Sequence, residues 1–142
     1  FLIFIFILII FQIILGSFLA GLNGGLIYNT WPDMNGLFLP NDVQLKNYFS
    51  SDLFNNSSIV QFLHRITAYI LLIFLIILNY FFYKLHLDIK FVMYLNFAII
   101  LQILLGIITL LSGVEIKFAS LHQLGSILVL SSYILILYKN TN

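Results

Sequence analysis

The chain has 142 residues, of which 62% are hydrophobic and only 8% charged, and its mean hydropathy is +1.10. Soluble domains carry about 25% charged residues, so the composition predicts an integral membrane protein rather than a soluble one. A formal net charge of +1 argues against nucleic acid as a partner, and the lack of cysteine removes disulfides, thiolate ligands and cysteine nucleophiles, leaving the redox compartment open.

A spanning helix needs about 20 mostly apolar residues, and four stretches qualify: Phe1–Tyr28, Ser58–Lys84, Lys90–Ser112 and Ile116–Lys139. The first has no basic start and is apolar from its first position, so it reads as a spanning helix and not a signal peptide. With no initiator Met, its natural beginning is expected upstream, in a fragment or a processed product. A polar segment, Asn29–Ser57, follows, holding both prolines and the single Trp; a connection of that length is more often functional than idle. The second helix carries His64 and Arg65 within its first two turns. Short turns, "KLHLDIK" and "SGVEIK", join the second helix to the third and the third to the fourth. His86, in the first of these turns, is read as an interfacial loop residue. The expectation is an all-α, four-helix transmembrane up-down bundle forming one domain over residues 1–142, in contact with membrane lipid.

The sequence repeats internally. "FQIILGSFLAG" in helix 1 resembles "LQILLGIITLLSG" in helix 3, with Gln12 and Gln102 90 positions apart and Gly16 and Gly106 equally so. Each precedes a helix with a histidine near its start, "FLHRITAYI" and "SLHQLGSIL", and a small residue, Ala68 or Ser126, four positions on. Two pseudo-repeated hairpins related by an axis along the membrane normal follow. His64 lies six positions past Ser58 and His122 six past Ile116, so at 1.5 Å per residue both sit about 9 Å inside their helices, on one side of the membrane. Helices 2 and 4 are diagonal in such a bundle.

A single intramembrane histidine is as readily a hydrogen-bonding residue between helices as a ligand. Two at matched depth on diagonal helices point further. Zinc or copper would want a third and fourth donor, and no Cys, Asp or Glu lies at that depth. A six-coordinate haem needs two axial ligands, and histidine is a common one. The favoured reading is therefore a bis-histidine haem b on His64 and His122, with Ala68, Gly125 and Ser126 leaving room for the macrocycle. Arg65 reads equally as an interfacial anchor, reaching headgroups or loop carboxylates, and as a partner of a haem propionate. Gln61 and Gln123 are expected to hydrogen-bond around the ligands or between helices. The glycines of helix 1 are expected to allow close packing and then end the helix.

The runs "AGLNGGLIYNTWPDMNGLFLP", "VQFLHR" and "LQILLGIITLLSGVEIKFASLHQLGS" resemble the C-terminal half of the haem A synthases of mitochondria and alphaproteobacteria, from Gly16 to about Ser126. The resemblance implies eight transmembrane helices in two similar halves, which oxidise the C8 methyl of haem O to the formyl group of haem A for cytochrome c oxidase. It implies a substrate haem in the N-terminal half, with a catalytic Glu three residues before its first histidine. The C-terminal half holds an electron-passing haem b on the histidines matching His64 and His122. Here Gln61 stands where that Glu would be, so no catalytic residue is assigned, and a second four-helix half is the expected partner. A split enzyme, a stand-alone bis-histidine electron-transfer cytochrome and a haem-free structural or assembly subunit remain open, as does homo-oligomerisation. Lys46, Arg65 and Lys117 at one end balance Lys84, Lys90 and Lys139 at the other, so charge does not orient the chain. The resemblance places the long loop and the haem end toward the periplasm or intermembrane space, from a bacterial cytoplasmic or mitochondrial inner membrane.

Overall fold

A computed structural model describes residues 1–44 and 53–141 of the chain. Four helices, α1 (Leu2–Gly21), α2 (Ser57–Lys84), α3 (Lys90–Leu111) and α4 (Ile116–Thr141), are each long and apolar enough to cross a membrane. Short 3₁₀ turns at Gly24–Leu26 and Leu53–Asn55 flank the α1–α2 connection. Among the described residues there is no strand, only an isolated bridge between Met34 and Leu37. The chain is an all-α integral membrane protein.

Each boundary has a local cause. The Asn56 side chain caps α2 by accepting the Ile59 N–H at 3.0 Å, satisfying one of the orphan donors of the first turn. The C-terminal ends of α2 and α3 share one device. His86 (φ 51°) and Gly113 (φ 69°) take the left-handed conformation. The next residues, Leu87 and Val114, donate back to Phe82 and Thr109, which terminates the helix. His86 is thus an exposed helix-ending residue, at the end remote from His64. Helix α1 stops at Gly21, seven residues before the end expected from hydropathy, because Asn23 turns left-handed (φ 50°) and a 3₁₀ turn redirects the chain. Leu26 and Ile27 kept the apolar signal running past that break.

The bundle is two hairpins. Helices α1 and α2 pack extensively on each other, as do α3 and α4; α1 meets α4 and α2 meets α3 more lightly. The core lies in the half away from the long loop. Leu71, Leu75, Leu78 and Phe82 of α2 face Val92, Leu95, Ala98 and Ile99 of α3, with Tyr133 and Ile136 of α4 and Ile5 and Ile9 of α1. The i, i+4, i+7, i+11 spacing on α2 and the i, i+3, i+7 spacing on α3 each mark one stripe of a helix, and the other faces, including Ile73, Ile76, Phe97 and Ile127, are left to lipid. Lipid is as apolar as leucine, so polar contacts help to fix register. Asn79 and Asn96 exchange amide hydrogen bonds of 2.9 and 2.8 Å between α2 and α3, and Tyr133 donates to the Leu2 carbonyl, tying α4 to α1.

Candidate functional site

The end of the bundle beneath the long loop gathers the polar side chains of the spans. Gln12 and Gly16 lie one turn apart on α1 and face His64 of α2. The Gln12 amide donates to the His64 carbonyl at 3.0 Å and stands 3.4 Å from His64 Nε2. A β-carbon at Gly16 would come within 3.2 Å of His64 Cε1, a tight contact that would press on this ring. The second hairpin repeats the arrangement. Gln102 donates to the His122 carbonyl at 2.7 Å, and a β-carbon at Gly106 would meet His122 Cε1 at 2.9 Å. The sequence repeat is therefore a repeat of contacts.

The hydrogen bonds define both imidazoles. His122 Nδ1 lies 3.1 Å from the Gln102 main-chain oxygen, which can only accept, so Nδ1 carries the hydrogen and Nε2 the lone pair. At His64, Nε2 faces the Gln12 amide, which can only donate, so Nε2 again bears the lone pair, and the buried Nδ1 has no partner among the described residues. The two rings lie 6.5 Å apart between centres, with planes crossed at 85°.

Arg65, the next residue along α2, is tied to the loop. Nη1 donates to the carbonyls of Thr30 and Asp33 at 3.0 and 2.6 Å, and Nη2 to that of Tyr28 at 2.9 Å. These bonds use three of its five N–H donors. The buried Gln61 joins the same Tyr28 carbonyl at 2.9 Å. Asp42 completes the fold-back of the described part of the loop, accepting from the Tyr28 hydroxyl and the Ser58 hydroxyl, each at 2.6 Å. Asn29 bonds the Leu110 carbonyl at the end of α3. The described part of the loop thus folds over the histidine-bearing end of the bundle.

The family model of the COX15-CtaA cytochrome oxidase assembly proteins matches residues 1–134. The chain belongs to that family. It is 66% identical over its full length to a "Heme A synthase" of Pelagibacter ubique (strain HTCC1062), covering 42% of that protein. It is 41% identical over 90% of its length to a "Heme A synthase" of Wolbachia pipientis wMel, and 42% identical over 84% to one of Rickettsia bellii (strain OSU 85-389), covering 35% and 36% of them. The chain therefore spans less than half the length of the curated relatives it matches. No solved structure matches it.

In this COX15-CtaA chain the residues present fit a haem. Two metal–imidazole bonds of about 2 Å each, with roughly 1 Å more from each nitrogen to its ring centre, span about 6 Å, close to the 6.5 Å observed. Both lone pairs are on Nε2, and among the described residues no group of three or more His, Cys, Asp or Glu could hold a bare metal ion instead.

Several sequence expectations are revised in detail. Gly125 was expected to leave room for a macrocycle, but its open side is filled by the Gln102 carboxamide. Gln123 was expected to bond around the ligands or between helices, yet it is exposed on α4 and no side-chain bond is seen for it among the described residues. Glu115 is exposed and paired with Lys117 at 3.6 Å. Asp52, Lys46 and residues 45–52 of the long loop lie outside the described residues. The roles of Gln12, Gln102, Tyr28 and Asp42 were not read from sequence; only the 90-residue repeat marked the two glutamines.

The Asp42 latch has a definite pH window. Partial burial would raise the Asp42 pKa, but the bonds from Ser58 and Tyr28 outweigh it and hold the carboxyl below its usual range. A depressed carboxyl stabilises the fold above its unfolded pKa of about 3.9 and loses that contribution as pH falls through the lower folded value. Tyr28 is raised, first by burial and then by its bond to Asp42, so its contribution is lost only as pH rises above about 10. Proteolysis of the loop is thus expected to be flat between about pH 5 and 9 and to rise only outside it. Asp42→Asn should increase cleavage severalfold at pH 7.

Proposed function

We propose that the chain is the haem b-binding half of a haem A synthase, serving electron transfer for oxidation of the haem O C8 methyl to the formyl group of haem A. The observation that carries this is the pair His64 and His122, brought from diagonal helices to 6.5 Å between ring centres, with the lone pair of each on Nε2, that of His64 now facing the Gln12 amide. The relatives named Heme A synthase supply the context. Haem b held there would supply reversible one-electron chemistry.

The chain's own residues divide the work. His64 and His122 would hold the haem iron. The two Arg65 donors not engaged by the loop are available to a propionate, which makes Arg65 both a loop anchor and a cofactor contact. The loop, latched by Asp42, limits water at that end. Gln61 cannot serve as an acid or base, so the methyl oxidation belongs to a second four-helix half carrying a Glu-x-x-His motif. Such a half accords with relatives more than twice the chain's length. The loop and haem end face the periplasm of a bacterial cytoplasmic membrane.

The test is titration of the purified chain with haem b. Saturation at one haem per chain with a low-spin, six-coordinate spectrum is expected, and absence of saturable binding would reject the assignment. Orientation has its own check. A cysteine at the exposed Asn41 should react with an impermeant thiol reagent from the periplasmic side; labelling from the cytoplasmic side alone would invert the topology.

A further inference from the structure

Two glutamines inside apolar helices call for a reason. Gln12-Ile13-Ile14-Leu15-Gly16 on α1 and Gln102-Ile103-Leu104-Leu105-Gly106 on α3 are the same five-residue pattern, and each receives the histidine of the following helix. Burying a carboxamide in hydrocarbon is costly unless it is bonded. In both copies the Oε1 atom is buried without a partner among the described residues, while the amide nitrogen grips the histidine carbonyl. A leucine or methionine would pack two helices at no such cost. The glycine one turn on leaves a gap that the imidazole fills, to within 3.2 Å at Gly16 and 2.9 Å at Gly106 of where a β-carbon would stand. The glutamine fixes the height of the histidine and the glycine fixes where its ring can lie. Together with the bond from His122 Nδ1–H to the Gln102 main-chain oxygen, they hold the ring planes crossed at 85°.

We propose that Gln12–Gly16 and Gln102–Gly106 are a matched pair of positioning cradles that set the rotation of the two axial imidazoles and thereby the electronic state of the iron. The inference rests on the haem reading above. Its physical basis is general. Imidazole planes crossed near a right angle donate into different iron dπ orbitals, which keeps those orbitals close in energy and makes the low-spin electron paramagnetic resonance signal strongly anisotropic. Parallel planes split the orbitals and reduce the anisotropy. Ligation would take the His64 Nε2 lone pair that now faces Gln12, leaving Gln12 with the carbonyl bond alone, the same bond Gln102 makes.

The experiment compares wild-type chain, Gln12→Met, Gln102→Met, Gly106→Ala and the control Gln123→Met, each purified in full and titrated with haem b. Helical circular dichroism, haem affinity, the resonance spectrum of the oxidised form and carbon monoxide binding to the reduced form are read. Methionine is close to glutamine in length and helix propensity, so the helices should stand. Outer-shell partners of a metal ligand are typically worth 10–100-fold in affinity. The three cradle variants should therefore bind haem about 10–100-fold more weakly, give a less anisotropic signal and gain a carbon monoxide-reactive fraction, while Gln123→Met matches wild type. Cradle variants with wild-type affinity, spectrum and carbon monoxide inertness would overturn the inference and leave the haem reading intact. Variants that lose their helical signal would also overturn it, assigning the glutamines to folding. A wild-type chain without saturable haem would defeat the haem reading itself.

Discussion

Expressed in a strain lacking haem A synthase and supplied with haem O, this chain alone should yield no haem A. On the proposed reading one haem would take both histidines of the matched intramembrane pair, and no other histidine pair exists in a chain whose third histidine, His86, ends α2 at the remote end. Methyl oxidation needs a second site where the substrate meets a group able to move protons. Gln61 holds the corresponding position here, and its amide is engaged with the Tyr28 carbonyl. Glu115 is an exposed loop residue paired with Lys117, and Asp42 is held by Tyr28 and Ser58. Conversion should return on co-expression with a four-helix half bearing Glu-x-x-His at the start of its second helix. Haem A extracted from cells containing this chain without any such half would give it a larger role than electron transfer.

The second large effect is expected at the ligands. If His64 and His122 are the ligands as proposed, His64→Ala and His122→Ala should each abolish the low-spin spectrum and weaken haem binding by more than the 10–100-fold typical of outer-shell partners, because each would remove a bond to the iron itself. The two need not fail alike. His122→Ala leaves the Gln102 carbonyl without the Nδ1–H it now accepts, while His64→Ala frees only the Gln12 amide, which keeps the main-chain carbonyl of residue 64. His86→Ala should leave the spectrum unchanged, with an effect confined to the end of α2, where alanine tolerates the left-handed conformation poorly. Retention of six-coordinate low-spin haem in both ligand variants would show that other side chains bind the iron.

The spans and the histidine pair were legible because the signals are one-dimensional. Apolar runs bounded by polar turns give four helices, and His64 and His122, each six positions past the expected start of helices that run the same way, fall at one depth whatever the packing. The end of α1 was not legible: hydropathy continues through Leu26 and Ile27, whereas the break depends on the backbone at Asn23. The glutamine contacts depend on how far each helix is rotated against its neighbour, which spacing alone does not fix; that is why Gln12 and Gln102 were visible as a repeat but not as grips on His64 and His122. The same limit explains Gly125, filled by Gln102, and Gln123, turned outward. Arg65 was weighed between an interfacial anchor and a propionate partner. The observed acceptors are neither headgroups nor carboxylates but three main-chain carbonyls of the loop, because the loop folds back by a path no local pattern encodes.

The most direct test is near-infrared magnetic circular dichroism of the oxidised, haem-loaded chain, since the charge-transfer band reports the identity of both axial ligands. A band at the position of bis-histidine ligation, lost in His64→Ala and in His122→Ala alike, is the predicted result. A band at the histidine–methionine or histidine–water position in the wild-type chain would contradict the assignment of His64 and His122 to one iron.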